Sequence, residues 1–242
     1  MSLPHFFAGA PGPGEPVALA PDDARHAVRS LRLQEGDEFT SSDGAGALVR
    51  CRVVRAAHLL VEGEVLERTA EPRPRPGLSV LLSPPKGDRL TWAVQKLTEL
   101  GIDRIVLVES ARSVRRWEGD RAARVGPRLE AVAREAAKQS RRRFLPEVTG
   151  PIPWAEAVVP DAEPTVVLWE RAREGLLSAL PDEAPERLTV AVGPEGGIPE
   201  EDAAAAERAG ARLAGLGPSI LRTETAAVAA SAVVLARYGR LG

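Results

Sequence analysis

The chain has 242 residues, a formal net charge of −2, 44% hydrophobic residues and only 4% aromatics, so a packed core must be built mainly from Ala, Val and Leu. No apolar run approaches the roughly 18 residues of a membrane-spanning helix, and the start, Met1 to Phe7, lacks the basic region and long apolar stretch of a secretion signal. One cysteine, Cys51, excludes an intramolecular disulfide, and three scattered histidines leave no set of ligands for a structural metal; a cytoplasmic protein is expected.

In chain order, residues 1 to about 70 read as mainly β. A short helix is predicted over Pro21 to Leu31, with Asp22 or Asp23 near its start. Gly36 to Thr40, Ala47 to Val54 and Leu59 to Leu66 are strand-like, and Asp43-Gly44 between the first two is a hairpin signal. This is the pattern of a small barrel with one helix. Glu71-Pro72-Arg73-Pro74-Arg75-Pro76-Gly77 then stiffens toward polyproline II, which places a domain boundary after residue 72.

Beyond the boundary, strands and helices alternate. Strands are expected at Leu78–Leu82, Ile102–Glu109, Thr165–Trp169, Leu188–Val192 and Ala211–Leu216. Helices are expected over Asp88–Leu100, with Gly101 following it, then Arg171–Leu180, Pro199–Ala209 and Thr223–Tyr238. A long basic helical region ends near Gln139 and is expected to be interrupted at Gly126-Pro127. The alternation makes residues 73–242 an α/β domain with a parallel sheet covered by helices on both faces. The last helix, Ala226 to Leu235, is so apolar that it is expected to be nearly fully buried.

Charge is distributed unevenly. Arg112 to Arg143 holds eleven Lys and Arg against four Asp and Glu, whereas Phe144 to Gly242 holds eight against fifteen. A surface that meets a polyanion follows from such polarity, as does, equally, a long solvated helix. Two loops near the C-terminus carry the sharper signal, because each follows an apolar strand and opens a helix, the place where α/β proteins bind small molecules. The first, Gly193-Pro194-Glu195-Gly196-Gly197-Ile198-Pro199, has three glycines in five positions and therefore allows positive φ and close backbone approach to a ligand. Its Glu200, Glu201 and Asp202 would repel a phosphate, and neither a P-loop nor a dinucleotide-binding glycine motif is present. The second, Leu216-Gly217-Pro218-Ser219-Ile220-Leu221-Arg222-Thr223-Glu224-Thr225, puts an arginine, an acid and two hydroxyls at the mouth of the apolar helix. Thr223 or Thr225 suits an N-cap.

Gly193–Gly197 followed by Leu216-Gly217-Pro218 and Leu221–Ala226 resembles the 16S ribosomal RNA (uracil-N3)-methyltransferase family of knotted SPOUT enzymes. Arg25–Arg29, Lys86-Gly87-Asp88-Arg89, Gln95–Gly101 and Glu135–Arg142 resemble further segments of that family, in order, over nearly the whole chain. The resemblance implies a PUA-like RNA-binding barrel over 1–72 and a trefoil-knot domain over 73–242. It implies S-adenosylmethionine as methyl donor, no metal, a homodimer, and 16S rRNA within the small ribosomal subunit as substrate. Three loops would hold the cofactor: Leu168, Trp169 and Glu170; Gly193, Pro194, Gly196 and Gly197; and Leu216, Gly217, Ser219, Ile220, Leu221, Arg222 and Thr223. Arg222 is expected to stabilise charge on the uracil, and Glu224 either to orient Arg222 or to accept the N3 proton; Glu99 is a weaker candidate.

RNA contacts are expected from His26, Arg29 and Arg32 on the barrel and from Lys86, Arg89 and Lys96 at the catalytic entrance. The basic stretch would add Arg112, Arg115, Arg116, Gln139, Arg141, Arg142 and Arg143, with Trp117 suited either to stacking a base or to packing. Trp92, Trp154 and Trp169 are expected in the core, Cys51 buried in its strand, and His5 and His58 without a role. A related enzyme with another RNA target or acceptor atom, and a non-catalytic ribosome-assembly protein, remain open.

Overall fold

The computed structural model describes residues 3–110, 120–158 and 163–241. The chain forms two compact units. One comprises residues 1–73 together with 137–145, and the other 74–136 together with 146–242.

The first unit opens with β1 (His5–Phe6), β2 (Pro16–Ala18) and α1 (Pro21–Arg29), followed by β3 (Glu38–Ser42), β4 (Ala47–Ala57) and β5 (Leu60–Ala70). The sheet order is β1-β3-β4-β5-β2, antiparallel throughout except for β1 on β3. The predicted hairpin is there: Asp43 Oδ1 accepts the N–H groups of Ala45 at 2.7 Å and Ala47 at 3.1 Å and so shapes the β3–β4 turn. Alternate residues of β4 (Val49, Cys51 and Val53) point inward against Phe6, Phe39, Val61 and Val65, with Ala24 and Ala27 of α1 on the same cluster. Cys51 is buried there, as expected, and burial pushes its thiol up to about 11.

Residues 137–145 complete this unit. Lys138 pairs with Asp23 of α1, and His5 Nε2 donates to the Arg142 carbonyl at 3.0 Å. Ser42 Oγ donates to the Arg143 carbonyl at 2.7 Å, and Arg143 pairs with Glu71 at 3.1 Å. Phe144 packs against Gly46, where a Cβ would stand 2.7 Å from its ring. His5, assigned no role from the sequence, is therefore a buried structural hydrogen-bonding residue.

The second unit runs β6 (Gly77–Leu82), α2 (Arg89–Leu100), β7 (Arg104–Glu109), α3 (Asp120–Gln139, as far as residue 136), β8 (Glu147–Pro153) and α4 (Trp154–Ala157). It continues with β9 (Thr165–Leu168), α5 (Leu176–Ala179), β10 (Arg187–Val192), α6 (Glu200–Arg208), β11 (Arg212–Ala214) and α7 (Thr223–Arg237). All six strands are parallel, in the order β11-β9-β10-β6-β7-β8. Side chains alternate between two cores. Leu78, Val80, Leu82, Ile105, Leu107, Val190 and Val192 join α2, α3, α5 and α7 on one face, while Leu81, Val106, Val108, Val167 and Ala191 join α4 and α6 on the other. Both faces are thus covered, as a parallel sheet requires.

Several expectations are corrected. Gly126-Pro127 does not interrupt the basic helix: α3 runs straight through Pro127. One missing N–H bond is outweighed by the stripe of Leu129, Ala133 and Ala136 that buries one side of the helix. The helix expected over Arg171–Leu180 shrinks to Leu176–Ala179. The preceding residues instead bond to the end of β11, the Gly215 N–H donating to the Glu174 carbonyl at 2.8 Å and the Leu176 N–H to the Gly215 carbonyl at 3.0 Å. The last helix is buried on one side only; Val228, Ala229, Ala232 and Val233 are half-exposed. Trp154 is in the core and Trp169 is half-buried, but Trp92 is exposed on α2. Neither Thr223 nor Thr225 caps α7; the N-cap position is Arg222, without a side-chain cap bond.

Candidate cofactor pocket and its entrance

The strands β9, β10 and β11 are adjacent and parallel, so their C-terminal ends lie side by side. The three loops that leave them enclose a cavity of about 280 Å³. It is lined by Leu168, Trp169 and Glu170 from the first loop, Gly193 to Ile198 from the second, and Leu216 to Leu221 with Thr223 and Ala226 from the third. The lining includes the residues expected there apart from Arg222, which is exposed at the start of α7. Glu195, Ile198, Pro218 and Ala226 line it as well. Their motifs had been singled out, but nothing in spacing alone distinguishes lining residues from their neighbours.

Local geometry explains the residue types. A Cβ on Gly193 would stand 2.4 Å from Ile198 Cγ1, so only glycine lets the loop fold back on itself. Gly197 has φ +74° and faces Glu170, whose Oε1 would lie 3.0 Å from an added Cβ. The Trp169 indole N–H donates to the Ile198 carbonyl at 3.3 Å, which ties the first loop to the second. Thr223 Oγ1 donates to the Gly193 carbonyl at 3.0 Å, which ties the second to the third. The hydroxyl that suited a cap is used to stitch the pocket. Ile220, by contrast, is 91% exposed at the rim, a large apolar side chain awaiting a surface to cover.

α7, whose Thr223 and Ala226 line the pocket, packs against α2. Glu224, in the first turn of α7, is 7% exposed, and its Oε1 lies 3.5 Å from Nε of Arg89, the first residue of α2. Among the described residues its ionic partner is therefore Arg89 rather than Arg222. Among the described residues, Glu224 Oε2 has no hydrogen-bond partner, although it is buried. The Lys86 N–H donates to Glu195 Oε1 at 3.1 Å, so the loop before α2 is held to the pocket loop. Lys96 is paired with Glu99 on the same helix at 2.8 Å, which leaves Glu99 outside the pocket lining.

The remaining basic candidates fall into two groups. His26, Arg29 and Arg32 are exposed on or beside α1, and Gln139 and Arg141 are exposed in the segment that completes the same unit. Arg142 and Arg143 are half-buried there. Arg112, Arg115, Arg116 and Trp117 lie outside the described residues.

Among the described residues, a six-stranded parallel sheet carries a glycine-lined pocket at three adjacent strand ends, the place where open α/β sheets bind a small molecule. A family model described as an RNA methyltransferase domain matches residues 72–235, and one described as an RNA methyltransferase PUA domain matches residues 19–66. The chain is 35% identical over 240 residues to "Ribosomal RNA small subunit methyltransferase E" of Mycobacterium bovis, covering 97% of this chain and 91% of that one. It is 31% identical to the protein of the same name from Bacillus subtilis, covering 86% and 85%. Among solved structures, a ribosomal RNA small subunit methyltransferase E from Neisseria gonorrhoeae bound to S-adenosyl methionine superposes with a TM-score of 0.88 at 28% identity over 98% of both chains. The chain belongs to the ribosomal RNA small subunit methyltransferase E family. Its fold is accordingly a PUA-like β-domain followed by a SPOUT trefoil-knot domain.

Proposed function

We propose that this protein transfers a methyl group from S-adenosylmethionine to N3 of a uridine in 16S ribosomal RNA of the small subunit. The observation that carries the reading is the single pocket made by the two glycine motifs and the β9 loop at three adjacent strand ends. Its relatives' names give the substrate class, and the resemblance of Leu221–Ala226 to the uracil-N3 enzymes gives the acceptor atom.

The residues fit the cofactor. A volume of about 280 Å³ falls just below the roughly 300–1,000 Å³ usual for small-molecule sites. Leu216, Ile220 and Leu221 offer apolar walls to a flat adenine, and Gly193, Gly196 and Gly197 let the backbone come close. The Glu170 carboxylate, beside Gly197, suits a cationic group. When bound, S-adenosylmethionine supplies an electrophilic methyl group on a sulfonium that becomes a neutral thioether on transfer.

The protein's own tasks are alignment and charge. Uracil N3 loses its proton as the new N–C bond forms, and negative charge spreads onto O2 and O4 meanwhile. Arg222, at the start of α7 beside the pocket-lining Leu221 and Thr223, supplies a positive charge toward it. The exposed face with His26, Arg29, Arg32, Gln139 and Arg141 holds RNA phosphates, which sets register and affinity rather than sequence choice. Arg112, Arg142, Arg143, Lys86 and Lys96 complete the basic set. The half-exposed apolar flank of α7, Val228, Ala229, Ala232 and Val233, is covered by a second copy in a homodimer.

The test is transfer of labelled methyl from S-adenosylmethionine to unmodified small subunits, with the nucleoside product identified by mass spectrometry. N3-methyluridine in 16S RNA is expected. A different methylated nucleoside would overturn the target, and absence of both transfer and cofactor binding would point to an assembly protein.

A further inference from the structure

We infer that Arg89, held in place by the buried carboxylate of Glu224, is a second catalytic cation facing the uracil, and that Glu224 is its positioning residue. The inference rests on the methyl-transfer reading above. Three contacts link the glycine loop of the pocket to the starts of α2 and α7. Thr223 Oγ1 reaches the Gly193 carbonyl at 3.0 Å, Glu224 Oε1 lies 3.5 Å from Arg89 Nε, and the Lys86 N–H reaches Glu195 Oε1 at 3.1 Å. Thr223 and Glu224 are sequence neighbours, Lys86 and Arg89 are three residues apart, and Gly193 and Glu195 belong to one glycine loop. Arg89 thus lies on a segment whose neighbours on both sides of the Arg89–Glu224 pair, Lys86 and Thr223, bond to the loop that lines the pocket.

Local rules alone would not place these residues so. Arg89 is the first residue of α2, directly after the N-cap Asp88, at the helix end where the dipole disfavours a cation. Among the described residues Glu224 keeps one oxygen buried and unpartnered, an arrangement that costs stability. Burying the carboxylate against Arg89 is accounted for if its Oε1 exists to fix a guanidinium. Nε faces Glu224, while the side chain of Arg89 remains 42% exposed. A cation fixed before the substrate arrives stabilises developing charge better than one that must be ordered during the reaction. Arg222 is exposed and has no ion pair among the described residues, so Arg89 is the preorganised member of the two. Uracil offers two oxygens, O2 and O4, on either side of N3, and two cations match them. The N3 proton leaves to water, and the nitrogen pair it releases forms the bond to the methyl carbon.

The experiment is steady-state methyl transfer to small subunits by the wild type, Arg89→Ala, Arg89→Lys, Glu224→Gln, Arg222→Ala and the Arg89→Ala/Glu224→Gln double variant. S-adenosylmethionine affinity is measured calorimetrically for each. Arg89→Ala is expected to lower kcat about 100-fold with KM for the subunit little changed, and Arg89→Lys to recover part of it. Glu224→Gln lowers kcat by a smaller factor, and the double variant is no worse than Arg89→Ala alone, because Glu224 acts through Arg89. Cofactor affinity stays within about threefold throughout, as expected for a residue outside the lining. A rise in KM with kcat intact, steepening with salt, would make Arg89 a phosphate contact and overturn the inference. So would losses that multiply in the double variant. A wild type that yields no N3-methyluridine would sink the parent reading, whereas a fully active Arg89→Ala beside an active wild type sinks this one alone.

Discussion

Arg240→Ala should be among the most damaging single truncations of a charged side chain in the second unit. Arg240 and Asp103 are 7% and 9% exposed, with Nη1 and Oδ2 2.8 Å apart. Arg240 also donates to the Gly101 carbonyl at 2.8 Å and to the Pro76 carbonyl, while Asp103 Oδ2 accepts the Leu78 N–H at 2.9 Å. One guanidinium thus ties the end of the chain to the start of β6 and the end of α2. Its removal leaves a carboxylate buried without its cation and two carbonyls without a donor. Breaking a buried pair from one side costs about 3–5 kcal/mol. For a unit of about 160 residues, where each kcal/mol moves the midpoint about 2–4 °C, the loss is about 6–20 °C. Urea and thermal melts of the purified protein measure it. Arg75→Ala is the control, since Arg75 and Glu186 are closer, at 2.7 Å, yet both are exposed. That variant should cost no more than about 1 kcal/mol. Equal losses in the two variants, or a loss under about 1 kcal/mol for Arg240→Ala, would refute the argument that burial, and not distance, sets the worth of the pair.

Three further outcomes are expected. Gly193→Ala forces Ile198 aside and should weaken S-adenosylmethionine binding at least about tenfold by calorimetry, roughly the 1–3 kcal/mol of an overpacked site; Gly12→Ala, away from the pocket, is the matched control. His5 is held at about 4, below its ordinary 6.5, by burial first, with the Arg141 and Lys138 charges adding and the bond to the Arg142 carbonyl opposing. A lowered histidine contributes stability that is present above pH 6.5 and lost as pH falls to about 4. The first unit should therefore lose about 3 kcal/mol across that window, and His5→Gln should flatten the profile of its unfolding. Gly46→Ala combines φ +120° with a Cβ 2.5 Å from the Glu71 carbonyl oxygen. It should destabilise the first unit by about 3 kcal/mol in a urea melt, and no change there would mean the turn can relax.

Much of the fold was legible because hydrophobic period and punctuation agreed. β4 alternates, β6 and β10 are continuous apolar runs suited to burial on both faces, and Gly101 ends α2 with φ +102°. What the sequence hid had particular causes. β1 and β2 have two and three residues, too few for any period to register. β8 contains Pro151 and Pro153, which read as loop but are tolerated because β8 is an edge strand. The residues after β9 look helical by composition but are held by Gly215, a partner some forty residues ahead that no local window contains. The same limit applies to the pocket entrance. Arg222 and Glu224 are two apart and suggest each other, yet Glu224 pairs with Arg89 at the start of another helix, and only the packing of α2 on α7 reveals it.

The first unit closes with residues 137–145, and this sets a schedule for synthesis. When the ribosome has released residue 73 the β-strands are all present, but the acceptor for His5, the partner of Glu71 and the ring that fills the space beside Gly46 have not been made. About seventy more residues must follow, which at roughly 5–20 residues per second is a delay of about 4–14 s. During that interval the first 73 residues wait, incomplete, for a piece encoded some seventy residues later. A fragment cut after residue 73 would remain permanently at that stage, and the two segments of the first unit are in this sense a single translational unit.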